Sequence, residues 1–156
     1  MKQDLKVDEF IAVIIPGGFG AAKNLCTFAV SPEPEINKDV ERILKEFHAA
    51  SKPIGMCCIS PIIAAILFSK ADWEKKGPVK LTLGRRFPKE SWPYAETIEK
   101  AAEMGAEVVE CGVDEVCVDE TNKLFTTPAF MYEGAFHEIH DGVNKMVNLL
   151  LGMEAT

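Results

Sequence analysis

The chain has 156 residues, of which 47% are hydrophobic and 26% charged, a size and composition that suit one domain with a substantial core. Its 17 basic and 24 acidic residues give a net charge of −7, and no stripe of lysine and arginine runs along it, which argues against nucleic acid or an anionic membrane as a partner. The longest apolar run, residues 59–68, is shorter than the roughly 18 residues that span a bilayer.

Short apolar runs alternate with amphipathic stretches along the chain. The run at residues 10–15 is continuously apolar, which is typical of a strand buried on both faces. Residues 35–50 place their apolar side chains on one stripe of a helix. We predict strands over residues 10–15, 53–57, 79–84, 107–110, 116–118 and 124–126, and helices over 21–28, 35–50, 60–68, 93–104 and 133–151. This alternation predicts an α/β fold with a mostly parallel sheet, a hairpin at residues 116–126 and a polar loop at 69–78.

Five cysteines and two closely spaced histidines are the first candidates for chemistry. The cysteines, which are odd in number and form no CxxC pair, indicate reduced thiols rather than disulfides: Cys26, Cys57, Cys58, Cys111 and Cys117. His137 and His140 lie three residues apart on the last predicted helix, where either could serve as a base for a nucleophile. They lack an evident third ligand, so we predict no metal and no cofactor.

Cys58 occupies a predicted turn between a buried strand and a helix. A side chain at such a turn is pushed out of the sheet, and the first free N–H groups of the helix stabilise a thiolate there. Gly55 gives the backbone room, Ile59 and Ser60 are expected to offer free N–H groups, and Pro61 suits a first helical turn. Strand alternation points Cys57 into the core. The alternative interpretation is that both cysteines are ordinary buried thiols.

The glycine-rich turn at residues 16–20 follows the first predicted strand. Three glycines in four positions suggest positive φ angles or a close approach to a ligand. The N–H groups of this turn could form part of an oxyanion hole facing Cys58, cradle a phosphate, or simply close a structural turn. The dinucleotide fingerprint fails because Lys23 stands where a glycine is required.

Residues 14–25, 52–61 and 126–131 (IIPGGFGAAKNL, KPIGMCCISP and TTPAFM) resemble the PfpI-like, class I glutamine-amidotransferase-like superfamily, to which bacterial ElbB and mitochondrial relatives belong. The resemblance covers nearly the whole chain. It implies a flavodoxin-like three-layer sandwich with Cys58 as the nucleophile, and an oxyanion hole formed by the backbone of Gly17 or Gly18 together with Ile59. It also implies a homodimer and a mitochondrial location, with a cytoplasmic location as the alternative.

Two departures from the superfamily pattern qualify this expectation. The superfamily domain begins upstream, in a segment that carries an acidic residue. That residue forms a hydrogen bond to the cysteine that corresponds to Cys58, which is called the elbow cysteine because it lies in the turn between strand and helix. Residues 1–156 are therefore expected to form a single domain that is incomplete on its N-terminal side. The histidine base of glutamine amidotransferases is also missing, since residues 83–86 read Leu-Gly-Arg-Arg, which argues against glutaminase activity.

The resemblance implies an enzyme that acts on small reactive carbonyl compounds through Cys58, with glyoxalase-like or deglycase-like chemistry. Arg85, at the end of a predicted strand, could bind an anionic substrate, although paired arginines more often belong to a solvated loop. Two alternatives remain open. One is a redox or carbonyl sensor that uses the same thiol without turnover, and the other is a non-catalytic binding module whose exposed sheet edge needs a partner.

Overall fold

The computed structural model describes residues 5–70 and 77–152. These residues form six strands and four α-helices, with a 3₁₀ turn at Val7–Glu9, a π-helical turn at Ala21–Leu25 and a 3₁₀ turn at Ala129–Met131. The strands are β1 (Val13–Ile15), β2 (Ile54–Cys57), β3 (Lys80–Leu81), β4 (Glu107–Val108), β5 (Cys117–Asp119) and β6 (Leu124–Thr127). The helices are α1 (Lys38–Ala49), α2 (Pro61–Ser69), α3 (Glu96–Glu103) and α4 (Phe136–Leu150). Part of the predicted loop at 69–78 lies outside the described residues.

The main sheet has four strands in the order β1-β2-β6-β5, of which β1, β2 and β6 run parallel. Strand β5 pairs antiparallel with β6, in the predicted hairpin. Strands β3 and β4 form a separate parallel pair. The predicted α/β class with a mostly parallel sheet is therefore confirmed. No helix among residues 5–70 and 77–152 has the length and apolar character required to cross a membrane.

Strand β2 separates two apolar cores, because its side chains alternate between the faces of the sheet. Ile54 and Met56 belong to the larger core, which receives side chains from α1, α2 and α3. Gly55 and Cys57 face the opposite core beneath α4, where a Cβ added to Gly55 would lie 2.7 Å from Leu150. Helices on both faces of one sheet give the three-layer sandwich expected of a flavodoxin-like fold.

Strand β1 lies at the edge of the main sheet, and this corrects the prediction of a first strand buried on both faces. Its backbone pairing begins only at Val13, whose N–H donates to Pro53 O at 3.1 Å. Phe10, Ile11 and Ile14 remain 44%, 76% and 41% exposed. Within residues 5–70 and 77–152, the apolar run at residues 10–15 therefore lies at the edge of the main sheet, with part of its apolar surface exposed.

Strand β3 is much shorter than the predicted strand at residues 79–84, of which Val79, Leu81 and Leu83 are buried. The backbone leaves the ladder because Thr82 N–H donates to the side chain of Thr126, at 2.9 Å from its Oγ1, instead of to a carbonyl. Gly84 then takes a φ of +99°. A side chain from β6 therefore joins this segment to the main sheet in place of strand pairing.

Candidate active site

Cys58 follows β2 directly and adopts a left-handed backbone conformation, with a φ of +60°. Its N–H donates to Thr127 O at 3.2 Å, so pairing with β6 continues up to the turn. Left-handed conformations are uncommon outside glycine, and such strained residues cluster at active sites. The side chain of Cys58 is partly exposed, whereas the other four cysteines are buried. The predicted strand–turn–helix geometry at Cys58 is confirmed.

Ser60 fixes this turn from within the core, where it is only 1% exposed. Its hydroxyl accepts a hydrogen bond from Cys57 N at 3.0 Å and lies 2.7 Å from Ile15 O and 2.8 Å from Cys57 O. A donated bond to either carbonyl ties the end of β1 to the end of β2. The prediction of a free Ser60 N–H is wrong, since this group donates to Cys57 O at 3.2 Å and closes the turn.

The Ile59 N–H remains available for a ligand, because no acceptor within the described part of the chain binds it. Ile59 lies immediately before helix α2, whose first residue is Pro61. Free N–H groups at this end of a helix favour a nearby anion. The geometry is therefore compatible with the predicted role of Ile59 in an oxyanion hole, which stays a prediction.

The glycine turn packs directly against Cys58, because β1 and β2 are parallel neighbours with Ile15 opposite Met56. A Cβ added to Gly17 would lie 2.5 Å from Cys58 Cβ and 2.8 Å from Cys57 O. Hydrogen bonding by the Gly17 backbone lowers the pKa of the Cys57 thiol, against the larger effect of burial. Gly18 adopts a φ of +98°, and its N–H has no acceptor among residues 5–70 and 77–152. Of the two glycines predicted for the oxyanion hole, Gly18 is thus the one with an available donor.

The buried thiols differ from Cys58 in their electrostatics. Burial raises the pKa of Cys57, against the weaker opposing effect of the Gly17 hydrogen bond. Burial also raises the pKa of Cys26 and Cys111, and it raises that of Cys117 to about 11. These four thiols are therefore poor sources of thiolate near neutral pH, and they serve as internal references for the reactivity of Cys58.

A cavity of about 360 Å³ opens beside Cys58, Ile59 and Gly18. Its walls come from four aromatic side chains and three small or flexible apolar ones: Phe19, Phe28, Tyr94, Phe130, Ala22, Ala29 and Met131. Ala129, just before two of these residues, has a φ of +47°. The sequence analysis missed this aromatic wall. The signals were Phe19 inside the glycine turn and Phe130 in the Ala129–Met131 turn that follows β6.

The charged candidates lie outside the lining of this cavity. Arg85 pairs with Glu115 at 3.3 Å, and Arg86 pairs with Glu99 at 2.6 Å. His140 is exposed beside Asp141, and neither it nor His137 lines the cavity. No cluster of three or more His, Cys, Asp or Glu side chains that could hold a metal occurs in the part of the chain that the structure describes. The substrate-binding role of Arg85 stays a prediction.

Comparisons with known proteins identify homologues of this chain. The chain is 51% identical over 142 residues to the rat "ES1 protein homolog, mitochondrial", covering 90% of this chain and 50% of that protein. It is 50% identical to the human "Glutamine amidotransferase-like class 1 domain-containing protein 3, mitochondrial", with the same coverage. The zebrafish "ES1 protein, mitochondrial" is 35% identical, with coverage of 97% and 56%. No family model matches the sequence. The chain spans about half the length of the curated relatives it matches.

Two solved structures have the same fold as this chain. An isoprenoid biosynthesis protein with an amidotransferase-like domain from Ehrlichia chaffeensis superposes with a TM-score of 0.76 at 27% identity, covering 96% of this chain and 62% of that one. Rapid Encystment Protein 24 kDa from Francisella tularensis shares the fold, with a TM-score of 0.64 at 14% identity and coverage of 96% and 61%.

The sandwich with a cysteine elbow between β2 and α2 thus has the amidotransferase-like fold. The chain is a homologue of the mitochondrial ES1 proteins and of the human glutamine amidotransferase-like class 1 domain-containing protein 3 over about half of their length. All three of these relatives are mitochondrial by name, in agreement with the mitochondrial location that the resemblance implies.

Proposed function

We propose that this chain is a cysteine-dependent enzyme that acts on small reactive carbonyl compounds through Cys58. The observation that carries the proposal is the left-handed turn at Cys58, which leaves its thiol partly exposed beside an open cavity. Ile59 and Gly18, whose N–H groups have no acceptor among the described residues, line the same cavity. A nucleophile and two oxyanion donors are the minimum that carbonyl addition requires.

In the proposed reaction with a 2-oxoaldehyde, the Cys58 thiolate attacks the aldehyde carbon and forms a C–S bond. The π electrons of the carbonyl move to its oxygen, which accepts hydrogen bonds from Ile59 and Gly18 before water protonates it. Water then carries the carbon-bound proton to the neighbouring carbon and the hydroxyl proton to the oxygen of that neighbouring carbon, which converts the adduct into a 2-hydroxy thioester. A second water hydrolyses the thioester to the 2-hydroxy acid and releases the Cys58 thiolate, with one proton passing to solvent. One carbon is oxidised while its neighbour is reduced, so the net reaction consumes one water and no external oxidant.

Glutaminase activity is not part of this proposal. The described lining of the cavity contains no histidine that could act as base in amide hydrolysis. The sensor alternative shares the Cys58 geometry with the enzyme, and it differs only in predicting no turnover. The experiment below separates the two.

The proposal predicts that Cys58 is alkylated by iodoacetamide at least about tenfold faster than Cys57 near neutral pH, because burial both hides the Cys57 thiol and raises its pKa. Mass spectrometry of each cysteine peptide measures these rates. Conversion of methylglyoxal to lactate is expected in the wild type and to vanish in Cys58→Ala, while Cys26→Ala, at a buried thiol, retains it.

Equal product formation by Cys58→Ala and the wild type would disprove the catalytic role of Cys58. Rapid alkylation of Cys58 without any product would instead favour the sensor. In that case peroxide is expected to oxidise Cys58 to the sulfenic acid before the other four thiols.

We also propose that the chain forms a homodimer through the β1 edge. The supporting observation is the exposed apolar surface of Ile14 in β1 and of Phe10 and Ile11 just before it. Strand β1 has no outer neighbour among the described residues. Unpaired strand edges of this kind readily pair with another chain. Sedimentation velocity should show a dimer that Ile14→Lys converts to a monomer, while Leu149→Lys, on α4, leaves it intact. A monomeric wild type at micromolar concentration would refute this arrangement.

A further inference from the structure

We propose that the substrate of this site carries an uncharged aryl or branched-alkyl group, which lies in the aromatic cavity while its carbonyl carbon faces Cys58. The inference rests on the proposed function and narrows its substrate class from small reactive carbonyls in general to apolar ones. The cavity beside Cys58 measures about 360 Å³, within the range of about 300–1,000 Å³ typical of small-molecule sites. A three-carbon aldehyde would leave most of this space to water.

The walls of the cavity are chemically uniform. Phe19, Phe28, Tyr94 and Phe130 supply four aromatic rings, and Met131 adds a flexible apolar side chain. No Asp, Glu, Lys, Arg or His is among the described residues that line it. A carboxylate or phosphate on the substrate would therefore lose its hydration without gaining a charged partner, whereas an aromatic ring would gain edge-to-face contacts.

Three of these rings are unusually exposed for apolar groups that share one cavity. Phe19 is 70% exposed, Phe130 is 54% exposed and Tyr94 is 49% exposed. Isolated exposed apolar residues are common, but a contiguous rim of them marks a binding site. The three rings line the same cavity as Cys58, so a ligand that covers them would also lie near the nucleophile.

The aromatic wall is held in place relative to Cys58. Phe130 follows Ala129, whose left-handed φ of +47° lies at the start of the 3₁₀ turn after β6. The Phe130 ring packs edge-on against Phe136, with 5.9 Å between centroids. Residue Thr127 of the same strand accepts the Cys58 N–H. On the other side, the Lys100 ammonium lies 5.5 Å from the centre of the Phe28 ring and holds that ring without lining the cavity.

This arrangement assigns no substrate contact to Arg85. Its guanidinium is paired with Glu115, and the neighbouring Arg86 is held by Glu99 and Glu110. An anionic substrate would have to break one of these pairs and would still lie outside the described lining of the cavity. The geometry therefore favours apolar over anionic carbonyl compounds at Cys58.

The test compares two maleimides that alkylate thiols by the same addition but differ in their substituent, N-phenylmaleimide and N-methylmaleimide. The rate ratio of the two reagents at Cys58, divided by their ratio with free glutathione, isolates the contribution of the cavity. We expect this normalised ratio to favour the phenyl reagent by at least about tenfold, as burial of one ring against several aromatic partners implies. Phenylglyoxal should likewise exceed methylglyoxal in kcat/KM.

Variants of the cavity lining test whether the preference for the phenyl reagent comes from the aromatic wall. Phe19→Ala and Phe130→Ala should each lower the normalised ratio severalfold, while Phe87→Ala, at an equally exposed phenylalanine outside the lining (71% exposed), should leave it unchanged. Rapid labelling of Cys58 by both reagents with a normalised ratio near one would overturn this inference and leave the proposed function intact. Labelling of Cys58 no faster than that of Cys57 by either reagent would overturn both.

Discussion

Replacement of Gly17 by alanine is expected to reduce the rate of Cys58 alkylation by at least about tenfold, with a parallel loss of any turnover. The added Cβ would lie 2.5 Å from Cys58 Cβ, 2.8 Å from Cys57 O and 3.0 Å from Cys58 Sγ. Two of these three atoms belong to Cys58 itself, and the third is a backbone oxygen. The collision therefore cannot be relieved by rotating a long, flexible side chain, and the backbone of one of the two turns has to move. Overpacking of this kind typically costs about 1–3 kcal/mol in stability as well.

Gly20→Ala is the matched control, since it places the same methyl group in the same turn. The nearest atom to its Cβ would be the Asn24 side-chain nitrogen at 3.8 Å, an ordinary contact. Alkylation rates by mass spectrometry and thermal unfolding should therefore match the wild type in Gly20→Ala. If Gly17→Ala and Gly20→Ala react alike, the close approach of the two turns does not position the thiol.

Replacement of Gly142 by alanine should lower the free energy of unfolding by about 2 kcal/mol. In an exposed helix interior this substitution would gain about 1 kcal/mol from helix propensity. Here the added Cβ would collide with the carbonyl oxygen of Val113 and lie 3.3 Å from Thr127 Oγ1. Because the collision is with backbone, we expect a cost near the upper end of the 1–3 kcal/mol range for overpacking, which outweighs the gain.

Denaturant unfolding measures this change, and Asn144→Ala provides the comparison. Asn144 lies on the exposed face of α4, so its replacement tests helix propensity without any new contact and should be neutral or slightly stabilising. A Gly142→Ala protein as stable as Asn144→Ala would show that α4 can move away from the Val113 segment at little cost.

The amphipathic helices and the buried strands could be predicted from the sequence, because the spacing of their apolar residues reflects which side chains are buried. Helix α1 begins three residues later than predicted, at Lys38, since the Asn37 side chain accepts hydrogen bonds from Asp39 N and Val40 N and starts the helix there. The last helix likewise starts at Phe136 rather than residue 133. The spacing of hydrophobic residues predicts that a helix is present, whereas the residue at which it begins depends on a single side-chain cap.

The edge position of β1 and the shortness of β3 were not predictable in the same way. Both depend on which partner a strand meets, and continuous apolar runs look alike at the centre and at the edge of a sheet. In the candidate site, the turn at Cys58 could be predicted because the strand, the turn and the helix that form it are consecutive in the sequence. The aromatic wall did not, since Phe19, Phe28, Tyr94 and Phe130 come from three distant segments that only the fold brings together.

The left-handed backbone conformations at Cys58 and Ala129 lower the stability of the folded protein. At Cys58, the strained residue is also the one that supplies the reactive thiol. Glycine would relieve of order 1 kcal/mol of strain at either position, so a selection for heat-resistant variants would tend to enrich Cys58→Gly. That same change would remove the thiol altogether. Engineering of more robust versions should therefore hold residue 58 fixed and seek its gains elsewhere in the molecule.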